Sequence, residues 1–182
     1  MGSNDQAVID ETLKWVKNEV IGLNLCPFAR EPYVAGRIRC VVSSADDVEA
    51  LRAQLADELR LLRSLDAATT ETTLLVHPRV LGDFLEYNDF LDLADQTILD
   101  LGFEGEFQIA SFHPCYQFEG TEPDDVTNRT NRSPYPMLQI LREASVERAV
   151  AEYPDVDRIS ERNMETMRRL AGLPPSSDQN PR

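Results

Sequence analysis

The apolar side chains of this chain follow two rhythms, one helical and one extended. Ile9, Thr12, Leu13, Val16, Val20 and Leu23 recur at helical spacing and predict an amphipathic helix over Asp10 to Leu23. Gly22 and Pro27 mark its end. Leu25-Cys26-Pro27-Phe28 reads as a short apolar turn and Arg30 to Gly36 as a connection. Ile38 to Val42 is β-branched, is bounded by Gly36 and Ser43, and predicts a strand. Val48, Leu51, Leu55, Leu59 and Leu62 then form a helical stripe to about Leu65, with Ser44 and Asp47 placed as a capping box.

Thr72 to His77 predicts a second strand. Its Leu74-Leu75-Val76 run is continuously apolar, as burial of both faces requires. Asp83 caps a third helix carrying Phe84, Tyr87, Leu91, Ala94, Ile98 and Leu101, closed by Gly102. Phe107 to His113 is apolar on both faces and reads as a central third strand. A polar loop, Cys115 to Arg132, leads to Ser133-Pro134-Tyr135-Pro136. Pro134 suits a first helical position, so a helix is expected through Met137, Ile140, Leu141 and Ala144 to about Tyr153. Ser160 starts a last helix that ends at Gly172. Met1 to Asp5 is expected to be loose, and the Pro- and Ser-rich residues 173–182 to be a disordered tail.

This order predicts a single α/β domain over residues 5–172: a small, mainly parallel three-stranded sheet covered by helices. A ferredoxin-like α+β arrangement is the rival. Parallel strands would place His77-Pro78 and His113-Pro114 at one carboxyl edge, where open α/β sheets bind ligands.

Composition narrows the partners. The 182 residues carry 18 basic and 32 acidic side chains, a formal charge of -14. Such a surface repels nucleic acid and anionic lipid, and no apolar run approaches a membrane span. Three cysteines without a CxxC pattern do not make a disulfide framework, and a cytoplasmic location is expected. His113-Pro114-Cys115, even with Cys26 or Asp125, has no zinc-signature spacing, so no metal site is assigned and any cofactor is unknown. Cys26 follows a helix rather than starting one, and reads as a buried, inert thiol; Cys40 reads as core.

The chemistry-bearing residues concentrate between Glu106 and Glu143. His113, just past a strand, suits a general acid or base, with Tyr116 or Asp125 assisting; its structural alternative is an imidazole that holds the turn at Pro114. Asn131, Arg132, Ser133 and Tyr135 stand at a rigid, proline-fixed corner and would bind an anion, Arg132 through its planar fork. Arg142 belongs either to that ligand set or to a structural pair with Glu143.

The words Leu25-Cys26-Pro27-Phe28-Ala29, Ser111-Phe112-His113-Pro114, Tyr116-Gln117-Phe118, Asn131 to Pro136 and Leu141-Arg142-Glu143-Ala144 resemble one bacterial family, an uncharacterised domain of unknown function of about this length. The resemblance spans Trp15 to Gly172. It implies a single-domain cytoplasmic bacterial protein and lends no activity, cofactor or catalytic residue. In that family the position of Cys115 is often acidic and that of Gln139 often histidine. Both departures count against an essential thiol at residue 115 and a metal site built on residue 139.

The leading expectation is a small cytoplasmic enzyme acting on an anionic metabolite. A non-catalytic ligand-binding or regulatory protein, or an acidic protein-interaction module, is the alternative. The enzyme reading requires His113 and Arg132 to open into a common hollow.

Overall fold

A computed structural model describes residues 3–174. Its frame is a four-stranded sheet in the order β1-β2-β4-β3. The strands are β1 (Ile38–Val42), β2 (Thr72–Val76), β3 (Phe107–Phe112) and β4 (Met137–Arg142). β1 and β2 are parallel, and β4 runs antiparallel to both β2 and β3. β1, β2 and β3 therefore point the same way, with β4 inserted between β2 and β3. The expected three-stranded sheet gains a strand and becomes mixed. The chain order around the sheet is strand-helix-strand-helix-strand-strand, which is not the ferredoxin-like order.

The added strand comes from the segment expected to be helical. Ser133 and Tyr135 each precede a proline, which drives both toward extended backbone and away from helix. Met137 to Leu141 then pairs on both sides and is buried on both faces, apart from partial exposure at Gln139 and Leu141. Helix α5 (Glu143–Glu152) begins only after β4. Because β4 takes the central place, β3 is an edge strand rather than a central one, and Gln108 on it is exposed.

One sheet face is covered by α3 (Val48–Ser64) and α4 (Phe84–Asp100). Leu51, Leu55, Leu59 and Leu62 of α3 meet Leu75, Leu138 and Ile140 of the sheet, with Tyr87, Phe90 and Ala94 from α4. Asp83 caps α4 as expected, accepting from the N–H groups of Leu85 and Glu86. The cap of α3 is Asp47 itself, which accepts from Ala50 N at 2.7 Å. Ser44 is not the cap, because the first helical turn lies beyond its reach.

The other face is covered by α1 (Ser3–Trp15), the π-helical turn Val16–Ile21 that extends it, α5 and α6 (Ile159–Leu170). The chain is thus helical already at Ser3, so Ser3 to Asp5 are not loose; residues 1–2 and 175–182 lie outside the described residues. A short helix, α2 (Arg30–Val34), occupies the expected connection. Gly22 closes the π turn by necessity: a Cβ there would stand 2.1 Å from the Asn18 carbonyl oxygen. On this face Trp15 and Val16 pack on Val76, Met137 and Phe112 near the carboxyl ends of β2 and β3. Toward the opposite ends of those strands, the helices leave the sheet uncovered and a cavity opens.

Candidate functional site

The chemistry expected between residues 106 and 143 separates into three places. The first is the carboxyl edge of the sheet. His77 and His113 do reach the same edge, because β2 and β3 are parallel. Both imidazoles are fully buried. Tyr87 sits between them, its ring centroid 5.8 Å from His77 and 5.0 Å from His113. His77 Nδ1 lies 3.0 Å from the Val80 carbonyl oxygen, which can only accept, so the proton sits on Nδ1. By the same reasoning His113 Nε2–H donates to Leu81 O at 3.2 Å, while Nδ1 accepts from Cys115 N–H at 3.0 Å. The two histidines thus clamp consecutive carbonyls of one turn, in which Leu81 has a left-handed φ of 59°. Burial holds both below the usual histidine range, His77 at about 4. Tyr116 joins this cluster through Phe84, at 5.2 Å between rings.

The second place is a hollow of about 560 Å³ lined by Asp125, Arg132 and Ser133. Three expected site residues therefore meet, but His113 is not among them. Arg132 is committed to loop backbone, Nε to Tyr116 O at 3.1 Å and Nη2 to Pro123 O at 2.6 Å. Asp125 caps the 3-10 turn Val126–Asn131, accepting from the Thr127 hydroxyl and N–H. Those two bonds, the hydroxyl first, hold its carboxyl below the usual range. Ser133 Oγ donates to Tyr135 O at 2.7 Å. Tyr135 donates to Glu11, and that carboxylate pushes the phenol up. Glu11, Glu19, Asp124 and Asp125 line the hollow with Arg129 and Arg132, Arg168 acts on Asp125 from nearby, and Arg129 already pairs with Glu19. The common hollow required of His113 and Arg132 does not form. Each holds neighbouring main chain instead.

The third place is the cavity on the second sheet face, about 830 Å³. Leu74, Ala110 and Leu141 supply its apolar floor, Phe28 and Val146 part of its wall. Asn131 and Arg142 line it, apart from the rest of the expected anion set. Arg142 reaches back to α3, donating to Leu62 O, Leu65 O and Thr70 O at 2.7 to 3.1 Å. It makes no pair with Glu143, because residue 142 ends a strand rather than lying within a helix. At the rim Glu71 receives Arg37 at 3.1 Å and Arg148 at 3.8 Å, and Arg37 also binds Glu31.

Cys26 lines this cavity too, and burial pushes its thiol up. Burial likewise pushes the Cys40 thiol up to about 12, in keeping with a core position. Asn163 and Gln108 were not singled out by the sequence, and Gln139 only as a departure from the family pattern. One signal was present: Gln139 is a lone polar residue in the apolar run Met137 to Leu141. Among the described residues no three or more His, Cys, Asp or Glu side chains cluster as metal ligands would.

Residues 7–173 match a family described as a protein of unknown function, DUF1415, and the chain belongs to that family. No curated protein and no solved structure matches the chain.

Proposed function

We propose that this family member is a small-molecule-binding protein whose ligand occupies the 830 Å³ cavity on the second sheet face. One observation carries the reading: a concave space of ligand size, apolar at its floor, holds a few fixed polar groups, the usual make-up of a small-molecule site. Binding rather than turnover is favoured by what lines it. Its guanidinium groups are already paired with carboxylates or main-chain carbonyls, and its one thiol is held in the protonated form by burial. No histidine stands among its described lining residues. The same reading sets the protein in a bacterial cytoplasm. Its three cysteines are free thiols, which suits a reducing compartment, and the bacterial setting follows the family resemblance.

The test uses a neutral, environment-sensitive probe such as N-phenylnaphthylamine. The full chain should bind it with increased emission and quench Trp15, the single tryptophan, which lines the cavity. Ala110→Phe fills the floor and should abolish binding while the melting temperature holds. Equal binding by that variant would remove the cavity as the site.

A second reading, an enzyme acting on an anionic metabolite, is favoured by the meeting of Asp125, Arg132 and Ser133 in one hollow. It predicts a thermal shift with phosphate or a dicarboxylate that Arg132→Ala removes and Ala110→Phe does not.

A further inference from the structure

We infer that the ligand of the cavity carries an amine or ammonium head on an apolar body; this rests on the cavity reading above. Three amide side chains at the cavity wall are fixed in orientation by groups that can only accept.

Asn163, 6% exposed, donates from Nδ2 to Leu25 O at 2.7 Å. A carbonyl cannot donate, so the nitrogen and not the oxygen must face Leu25. Asn131 Nδ2 is held in the same way by Ser111 O at 3.2 Å. Gln139 is fixed by a hydroxyl that is itself committed. The Thr72 hydroxyl gives its only proton to Ile140 O at 2.7 Å, so it can only accept from Gln139 Nε2, at 3.1 Å. In each case the side-chain oxygen is turned away from its anchor, and no described group donates to it.

These oxygens are not sealed in the core. The described side-chain atoms that are both buried and without a partner belong to Thr12, Thr73 and His77. Asn163 Oδ1 therefore still meets open space, and the open space this side chain lines is the cavity. A ligand that displaces solvent from the cavity takes this oxygen out of water and must supply a donor to it, because an acceptor buried unmet is costly.

The surrounding charges choose among donors. An ammonium brings three N–H groups and no acceptor, whereas a carboxylate or phosphate brings acceptors only. An anionic head would find the nearby forks taken: Arg37 by Glu31 and Glu71, Arg148 by Glu71 and Ser145, Arg142 by main chain. Phe28, packed edge to face on Tyr153 at 5.5 Å, adds aromatic surface that favours a cation over an anion, while the Tyr153 ring already holds the Arg162 guanidinium. The net charge of -14 draws cations to the molecule and repels anions. Leu74, Ala110, Leu141 and Val146 suit an alkyl or ring body.

Three probes with one body and different heads test this: hexylamine, hexanol and hexanoate, titrated calorimetrically into the full chain near neutral pH. Hexylamine should bind at least ~10-fold more tightly than the other two, a difference of about 1.4 kcal/mol. Gln139→Glu should tighten hexylamine further and Gln139→Met should weaken it, each with its melting temperature measured alongside. Hexanoate binding best, or hexanol equalling the amine, overturns the head-group assignment and leaves the cavity reading standing if the neutral dye still binds. Loss of dye binding as well removes both.

Discussion

An imidazole that donates at one nitrogen and accepts at the other is locked in one neutral tautomer, and His113 is held in that way by Leu81 O and Cys115 N. A proton added to Nδ1 would have to displace the Cys115 N–H. His77 is similarly closed to protonation, since its Nε2 is buried without a partner and burial holds it at about 4. The sign of the pH effect follows. An unfolded histidine titrates near 6.5, so below that pH the unfolded chain binds protons that the folded chain refuses. Stability is full above about pH 6.5 and falls as pH drops toward 4, by about 3 kcal/mol for His77 alone. His113 shifts in the same direction and faces His77 across Tyr87, so the two do not titrate independently. Urea midpoints measured from pH 7.5 to 4.5 should decline through this window, and His77→Gln should flatten the decline. A midpoint that stays level in the native chain would contradict neutral, buried imidazoles. His113→Ala should lower stability by roughly 2–4 kcal/mol, because it frees two main-chain groups and leaves a cavity.

At the scale of elements, Arg142 ties the end of β4 to the end of α3. Its guanidinium binds the carbonyl of Leu62, which also accepts the Leu65 N–H, the carbonyl of Leu65 just past the helix, and Thr70 O. Arg142→Met should cost on the order of 2–3 kcal/mol, and Arg142→Lys should recover little of it, because an ammonium lacks the planar fork. Hydrogen exchange should show the loss concentrated in the last turn of α3; a uniform loss across the sheet would argue against this local tie. Helical stripes such as Leu51, Leu55, Leu59 and Leu62 were readable because burial on one face repeats with the helix period. β2 was readable because burial on both faces leaves a continuous apolar run. Met137 to Arg142 fits either pattern over so short a span, and the decision between them belongs to Pro134, Pro136 and the two neighbouring strands. Misreading β4 as helix set Arg142 beside Glu143. It also hid the place of Gln139 on the sheet floor, which exists only once β4 lies between β2 and β3. His113 and Arg132 were visible as chemistry, and the Cys115 N–H that His113 accepts belongs to the Pro114 turn offered as its structural alternative, but the carbonyls of Leu81, Tyr116 and Pro123 that the two side chains bind are named by no local pattern.

Over the whole molecule the excess of acid decides how the fold answers to salt. With 32 acidic and 18 basic side chains, 14 carboxylates remain even if every base takes one. Folding gathers these charges into a smaller volume, so their repulsion weighs more on the folded state than on the unfolded one. The ion pairs oppose that effect only weakly. Arg60–Asp57 and Arg158–Glu161 lie largely in solvent, where such pairs are worth at most about 1 kcal/mol each. The better-buried Arg37–Glu71 and Arg39–Glu58 pairs are screened less by salt. Repulsion among exposed, well-separated carboxylates is therefore what added salt removes first. Raising sodium chloride from about 20 mM to about 0.3 M shortens the screening length from roughly 20 Å to under about 6 Å, and the urea midpoint should rise over that interval. The rise should level off above it, since screening saturates, whereas exclusion of a solute from the surface grows steadily with concentration. A midpoint that falls with salt would mean that the ion pairs, not the excess carboxylates, dominate the electrostatics of the fold.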